Sequence, residues 1–170
     1  MPRVAREKPY WSPILSAALL AGIDVSDAAR LRWQSISDQP ALIVSNHISL
    51  WDGPLLAALA PVRIVGVVDC EWYGKPWVRA MLRLISPHWV DVVTVSPCHP
   101  SGLRTVLSHL HRGAHVLIFP EGGIGLVEQQ PGLRWLQTRA PVARLDLKLQ
   151  GSISRYRRPR RIELVGSPVW

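Results

Sequence analysis

Apolar residues along the chain fall into short, separated runs, and the spacing inside each run predicts its element. Ala41-Leu-Ile-Val-Ser45 is rich in branched residues and bounded by Gln39-Pro40 and Asn46, so it reads as a buried strand. A polar loop follows, then a short helix over Pro54 to Ala60, with proline tolerated in the first turn. Val62 to Val68 and Trp89 to Val95 are two further strands, separated by a helix over Lys75 to Ile85 that stops before Pro87. Leu103, Val106, Leu107 and Leu110 fall at i, i+3, i+4 and i+7, which predicts a helix capped by Ser101 and ended by Gly113. His115 to Phe119 is a fourth strand, stopped by Pro120 and Gly122-Gly123. Leu145, Leu147 and Leu149 alternate with Asp146, Lys148 and Gln150 as a one-sided strand, and Arg161 to Val165 is the last. Strands alternating with helices predict a single α/β layered domain with a largely parallel sheet flanked by helices.

The N-terminal segment breaks this alternation. Its longest apolar run, Trp11 to Val25, contains Pro13 and closes on Asp24, which is too short to span a bilayer. Arg3, Arg6 and Lys8 before it resemble the start of a signal peptide, but Ile23-Asp24-Val25 is no small-residue cleavage site. An interfacial helix is expected instead, in an N-terminal segment over residues 1–35 ahead of a catalytic domain over 36–170.

Composition narrows the picture in two respects. With 48% hydrophobic and 19% charged residues, the 170-residue chain can fill one core and is unlike a disordered segment. Twenty Lys+Arg against twelve Asp+Glu leave a net charge of +8, which suits an anionic partner without choosing among nucleic acid, lipid and a phosphorylated co-substrate. Cys70 and Cys98 form no CxxC pair, so free thiols in a reducing compartment are expected. His109 and His111 lie two apart on a helix, and His88, His99 and His115 add no ligand spacing, so no metal is assigned.

Two polar motifs fall where chemistry is expected, directly after strands. The first is Asn46-His47-Ile48-Ser49-Leu50-Trp51-Asp52 and the second Phe119-Pro120-Glu121-Gly122-Gly123. In open parallel sheets, ligands collect beyond the carboxyl ends of the strands. A His and a carboxylate on one loop can meet, so that the carboxylate holds the proton of one ring nitrogen and leaves the other free as a base. The same two residues could instead cap the following helix and satisfy loop backbone groups. Glu121 reads either as an accessible turn carboxylate or as a ligand for substrate hydroxyls, and Gly122, Gly123 and Gly125 permit close backbone approach or simply a tight turn. There is no Gly-x-Ser-x-Gly elbow, and neither cysteine lies in a catalytic-looking setting, so direct attack by a substrate hydroxyl is the simpler mechanism.

In their order, and each behind a strand, Asn46-His47-x-Ser49-x-x-Asp52 and Phe119-Pro120-Glu121-Gly122 resemble the motifs of the glycerolipid acyltransferase family that includes lysophosphatidic acid acyltransferases. More weakly, the resemblance runs from Leu42 to Val169, through the helix before Gly113, Ala140-Pro141-Val142 and Gly166-Ser-Pro-Val169. It implies His47 as general base, Asp52 as its partner, and Glu121 and Gly122 in the acceptor site; Asn46, Ser49 and Gly123 of the same motifs are further substrate-binding candidates. It implies an acyl-CoA or acyl carrier protein thioester as co-substrate, with no other cofactor, and a lipid-like hydroxyl acceptor. Two arginines of the family pattern are missing: Val92 or Val93 stands at one place, and Gly123-Ile124 replaces Thr-Arg at the other. Arginine there would suit a phosphate, so a phosphate monoester acceptor is disfavoured, although Arg104 or Arg134 can approach from another direction.

Such an enzyme must reach lipid. Trp11, Trp72, Tyr73 and Trp77 with Lys75, Arg79 and Arg83 read either as an interfacial element or as ordinary core tryptophans, and the arginine run from Arg155 to Arg161 either as a site for headgroups or carrier phosphates or as a solvated turn; the expectation is a cytoplasmic protein peripheral to the inner membrane face. Two other readings compete: an acyltransferase-like module that has lost catalysis and binds lipid or a partner, and a basic nucleic-acid-binding protein. The second leaves both strand-end motifs unexplained, so no nucleic acid is expected.

Overall fold

A computed structural model describes residues 13–80, 90–96 and 101–165. In chain order the elements are α1 (Pro13–Leu20), β1 (Asp24–Val25), α2 (Asp27–Ser35), β2 (Ala41–Ser45), α3 (Asp52–Leu59), β3 (Ile64–Asp69) and α4 (Cys70–Gly74). A helical stretch over 76–80 follows. Then come β4 (Val90–Val95), α5 (Ser101–His111), β5 (His115–Ile118), α6 (Pro131–Gln137), β6 (Ala143–Gln150) and β7 (Arg161–Leu164). The expected features at Arg3, Arg6, Lys8, Trp11, residues 81–85, His88, Trp89, Cys98, His99 and Gly166-Ser-Pro-Val169 lie outside the described residues.

Seven strands form one sheet in the order β1-β7-β6-β2-β5-β3-β4. The five strands from β6 to β4 are parallel, while β7 pairs antiparallel with β6 and β1 parallel with β7. The chain is therefore a single α/β domain with a mostly parallel sheet, as its alternating runs predict.

Period-two alternation along β2 explains the layering. Ala41 and Ile43 point into a core that holds Trp33 of α2 and Leu56 of α3. Leu42 and Val44 point the other way, onto Val106 and Leu110 of α5 and Leu133 and Leu136 of α6. Every residue of β2 is buried, the pattern of a strand covered on both faces.

The start of the domain differs from the simple picture of a separate interfacial helix. After α1 the chain turns at Gly22, whose φ is +74°, and β1 joins the sheet beside β7. Ser26 caps α2 by accepting from the Ala29 N–H, and Ala29 and Trp33 are buried in the main core. No helix among the described residues is long and apolar enough to cross a membrane, and α1 packs on α3. The pattern over residues 1–35 concealed this because β1 is only two residues long, too short for alternation to register. Helix α3 also starts two residues before the expected Pro54, at Asp52, for reasons given by the site below.

Trp33 is 1% exposed, so Trp33→Ala should cost about 3–5 kcal/mol of stability. Its Nε1 is buried without a hydrogen-bond partner among the described residues, so Trp33→Phe, which removes that orphaned donor, should cost less. Denaturant titration of the two variants checks both statements.

Candidate active site

Strands β2 and β5 are adjacent and parallel, with Val44 opposite Ile118, so their carboxyl ends deliver the two polar motifs side by side. From there the chain diverges: β2 leads to α3 on one face of the sheet, and β5 leads to α6 on the other. Divergence of neighbouring connections opens a crevice at the strand ends, the usual ligand position in this architecture.

The first loop is organised by one carboxylate. Asp52 is fully buried at the first residue of α3, and its Oδ2 accepts from the backbone N–H of Ile48 at 2.6 Å and of Ser49 at 2.7 Å. The same oxygen lies 2.8 Å from His47 Nδ1. A carboxylate accepting two backbone hydrogen bonds has no proton to give, so Nδ1 carries the hydrogen and Nε2 has a free lone pair. The bond to histidine and the capping of the loop are thus performed by the same atom, and the two readings of this pair are not exclusive. The helix N-terminus adds a favourable field for the negative charge.

His47 keeps 19% of its side-chain exposure and stacks on Phe119, with ring centroids 4.4 Å apart and planes inclined by 19°. Phe119 is the chain's single phenylalanine and begins the second strand-end motif, so the two motifs touch through these rings. The His47 carbonyl in turn accepts from the Gly125 N–H at 2.8 Å.

Glu121 is 7% exposed, and its Oε2 is buried without a hydrogen-bond partner among the described residues. Burial pushes its carboxyl above the ordinary carboxylate range, opposed by its own backbone hydrogen bond and by the nearby His47. It is therefore a buried group near His47 rather than a solvated turn carboxylate. Gly122, with φ +74°, closes the turn through its N–H to the Phe119 carbonyl at 3.2 Å. A Cβ on Gly123 would meet Leu126 Cδ1 at 2.9 Å, the tip of an exposed side chain that can move aside.

Asn46 and Ser49 are occupied by the scaffold in this structure. The Asn46 amide donates to the Leu149 carbonyl at 3.0 Å and accepts from the Leu149 N–H at 2.7 Å, which ties β2 to β6. Ser49 is fully buried, and its Oγ accepts from the Trp51 N–H at 3.2 Å. Both side chains are thus bonded to the scaffold, Asn46 half-buried and Ser49 fully buried.

A correction concerns the missing arginines. Val92 and Val93 are interior to β4, paired with Gly66 and Val67, and Val93 belongs to the core. The residue that follows the strand is Ser96, and no Lys or Arg occurs between it and Arg104. Arg104 lines an apolar groove with Leu103, Pro131, Gly132 and Trp135 at the starts of α5 and α6. Sequence reasoning also missed the segment from Gly151 to Arg160 as part of this region. Ser154 donates to the Ile48 carbonyl at 3.0 Å, Leu50 donates to the Arg155 carbonyl at 3.2 Å, and Trp51 Nε1 donates to the Tyr156 carbonyl at 3.2 Å. Backbone bonds of this kind leave no residue signature.

An α/β domain with a histidine–carboxylate pair and a Phe-Pro-Glu-Gly turn at adjoining strand ends defines a class that comparison with known proteins identifies. A model of the Acyltransferase family matches residues 23–150. Lyso-ornithine lipid O-acyltransferase of Pseudomonas aeruginosa is 33% identical over 116 residues, covering 66% of this chain and 40% of that protein. The crystal structure of the 1-acyl-sn-glycerophosphate (LPA) acyltransferase PlsC from Thermotoga maritima superposes with a TM-score of 0.56 at 20% identity. That match covers 76% of this chain and 50% of the other, and at this identity it speaks for the fold. The chain belongs to the glycerolipid acyltransferase family, and it spans half or less of the length of these two relatives.

Two outcomes follow from the geometry. Gly125 has φ +75°, and an added Cβ would stand 2.8 Å from Ile153 Cγ2. Gly125→Ala should therefore lose about 1–3 kcal/mol by denaturant titration. For Glu121, a raised native pKa means that stability is full below the ordinary 4.5 and declines as pH rises through the native value. Glu121→Gln lacks that decline, so thermal unfolding should show the variant gaining on the wild type from acid to neutral pH.

Proposed function

We propose that this domain transfers a fatty acyl group from a thioester donor, acyl-CoA or acyl carrier protein, to a hydroxyl of a lipid-like acceptor at a membrane surface. The observation that carries the reading is the 2.8 Å contact of His47 Nδ1 with a buried carboxylate, which leaves Nε2 as the candidate base on a ring stacked against Phe119 of the adjoining motif.

The chemistry needs no covalent enzyme intermediate. His47 Nε2 accepts the acceptor's hydroxyl proton as the hydroxyl oxygen attacks the thioester carbonyl carbon. Asp52 holds the ring and offsets the imidazolium that forms. Collapse of the tetrahedral intermediate breaks the carbon–sulfur bond, and the departing thiolate takes the proton from His47. Ester and free thiol are the products. Glu121, Gly122 and Gly123 contribute to the acceptor side, with the Glu121 carboxyl oxygen offered to a substrate hydroxyl.

For the acceptor, an amphiphile without a terminal phosphate monoester fits best. Such a phosphate carries nearly two charges and needs fixed cationic donors in a partly dry site. The stretch from Ser96 to Ser101 supplies none, and Ile124 follows the Glu121 turn where an arginine would serve. The Pseudomonas relative is named for a lyso-ornithine lipid rather than for a glycerol phosphate, which is consistent with this.

His47→Ala should lower acyl transfer by about 10²–10⁴-fold while its thermal unfolding stays close to wild type, since the ring is lost from a loop. Asp52→Asn should impair transfer and also lower stability, because one carboxylate oxygen serves three donors. Thiol release from acyl-CoA, measured against a panel of hydroxyl lipids, reads both and should show lysophosphatidic acid as a poor acceptor. Turnover by His47→Ala at the wild-type rate would refute the mechanism.

A further inference from the structure

Large apolar side chains left in solvent are not scattered over this molecule. Eight are exposed among the described residues, and six of them, Trp51, Trp77, Leu126, Val127, Ile153 and Tyr156, come from segments that follow the carboxyl ends of β2, β3, β5 and β6. Leu31 lies on α2, and Val165 follows β7, which runs antiparallel to β6 and ends at the opposite edge of the sheet.

The six are physically joined around the crevice. Gly125 donates to the His47 carbonyl and packs its backbone against Ile153, which places Leu126, Val127 and Ile153 beside the catalytic loop. Trp51 is bonded to the Tyr156 carbonyl at 3.2 Å. Next to it, Trp72 lies between two cations, with Lys75 Nζ 4.0 Å and Arg155 Cζ 5.2 Å from its ring centroid, and meets Trp77 edge-on at 5.8 Å. Exposed cations on this rim are Lys75, Arg79, Arg155 and Arg157, against the exposed acids Glu71 and Glu128.

An apolar patch of this kind marks a contact with protein or membrane, and its chemistry decides between them. Aliphatic tips, tryptophans and a tyrosine with polar atoms, and a surplus of lysine and arginine are the three layers that favour, in turn, acyl chains, the headgroup boundary and anionic phosphates. We propose that the rim around the His47 crevice is a docking surface for an anionic lipid bilayer. Leu126, Val127 and Ile153 enter the acyl region, Trp51, Trp77 and Tyr156 lie at headgroup level, and Lys75, Arg79, Arg155 and Arg157 hold the phosphates. The crevice then opens onto the membrane, and an amphiphilic acceptor reaches His47 without leaving it. The proposal rests on the acyl-transfer reading for its purpose, although its surface can be tested alone.

The full chain is sedimented with vesicles of phosphatidylglycerol mixed with phosphatidylcholine. Val127→Asp combined with Ile153→Asp should weaken binding by at least about tenfold, since charge replaces side chains that must leave water. Val127 is 90% exposed and has little to lose on folding, so Val127→Asp alone must also weaken it, which guards against a misfolded double variant. Leu31→Asp, at a site as exposed as Ile153 but away from the rim, should bind as the wild type does. Vesicle binding that is absent in the wild type, undiminished in Val127→Asp, or equally reduced in Leu31→Asp overturns the proposal. Transfer by the wild-type chain to a short-chain acceptor dissolved as monomers reads the chemistry separately, so failure of the enzyme reading and failure of the surface give different patterns.

Discussion

A single buried carboxylate oxygen fixes the loop on which everything at the strand ends depends. Asp52 Oδ2 gathers the backbone N–H groups of Ile48 and Ser49 and the ring of His47 within 2.8 Å. A buried carboxylate is expensive unless its charge is met by donors, and here the donors are the loop itself. Loop shape, imidazole tautomer and the start of α3 are therefore one arrangement rather than three. Removal of the carboxylate would undo all three, whereas removal of the ring leaves the two backbone bonds in place.

That arrangement works only because the sheet brings a second loop to meet it. Placing β5 between β2 and β3 puts the Phe119 ring against His47, and the opposed directions of α3 and α6 keep the space above them open. Neither motif holds both the imidazole and a wall for it. The fold supplies the join, and the side chains supply the chemistry.

Most of the strands were legible because they follow simple periodicities: a continuous apolar run at Ala41 to Ser45, strict alternation at Leu145 to Leu149, and helical spacing from Leu103 to Leu110. The parallel sheet followed from their order. The two strand-end motifs were legible as sites for the same reason, since each begins where an apolar run stops. What escaped notice lacked a periodic signal. Strand β1 is two residues long, and the packing of Ser154 and Arg155 on the catalytic loop runs through backbone atoms that any residue possesses. The side chains of Asn46 and Ser49 show a related limit. Polar residues inside a catalytic-looking motif read as ligands for substrate, and their bonds to Leu149 and Trp51 of the scaffold are not visible in the motif.

The segment between β6 and β7 has a consequence for how quickly the site can open. Its base is held by the Arg160 N–H on the Gln150 carbonyl and by the Asp24 N–H on the Arg160 carbonyl, and its far part by Ser154 and Leu50 across to the catalytic loop. A strap fastened to the sheet at one end and to the histidine loop at the other cannot lift without breaking bonds at both. The amides of Leu50 and Ser154, although in irregular segments, share the protection of the strands and exchange with solvent on the slow clock of the domain's larger openings rather than the fast clock of a free loop.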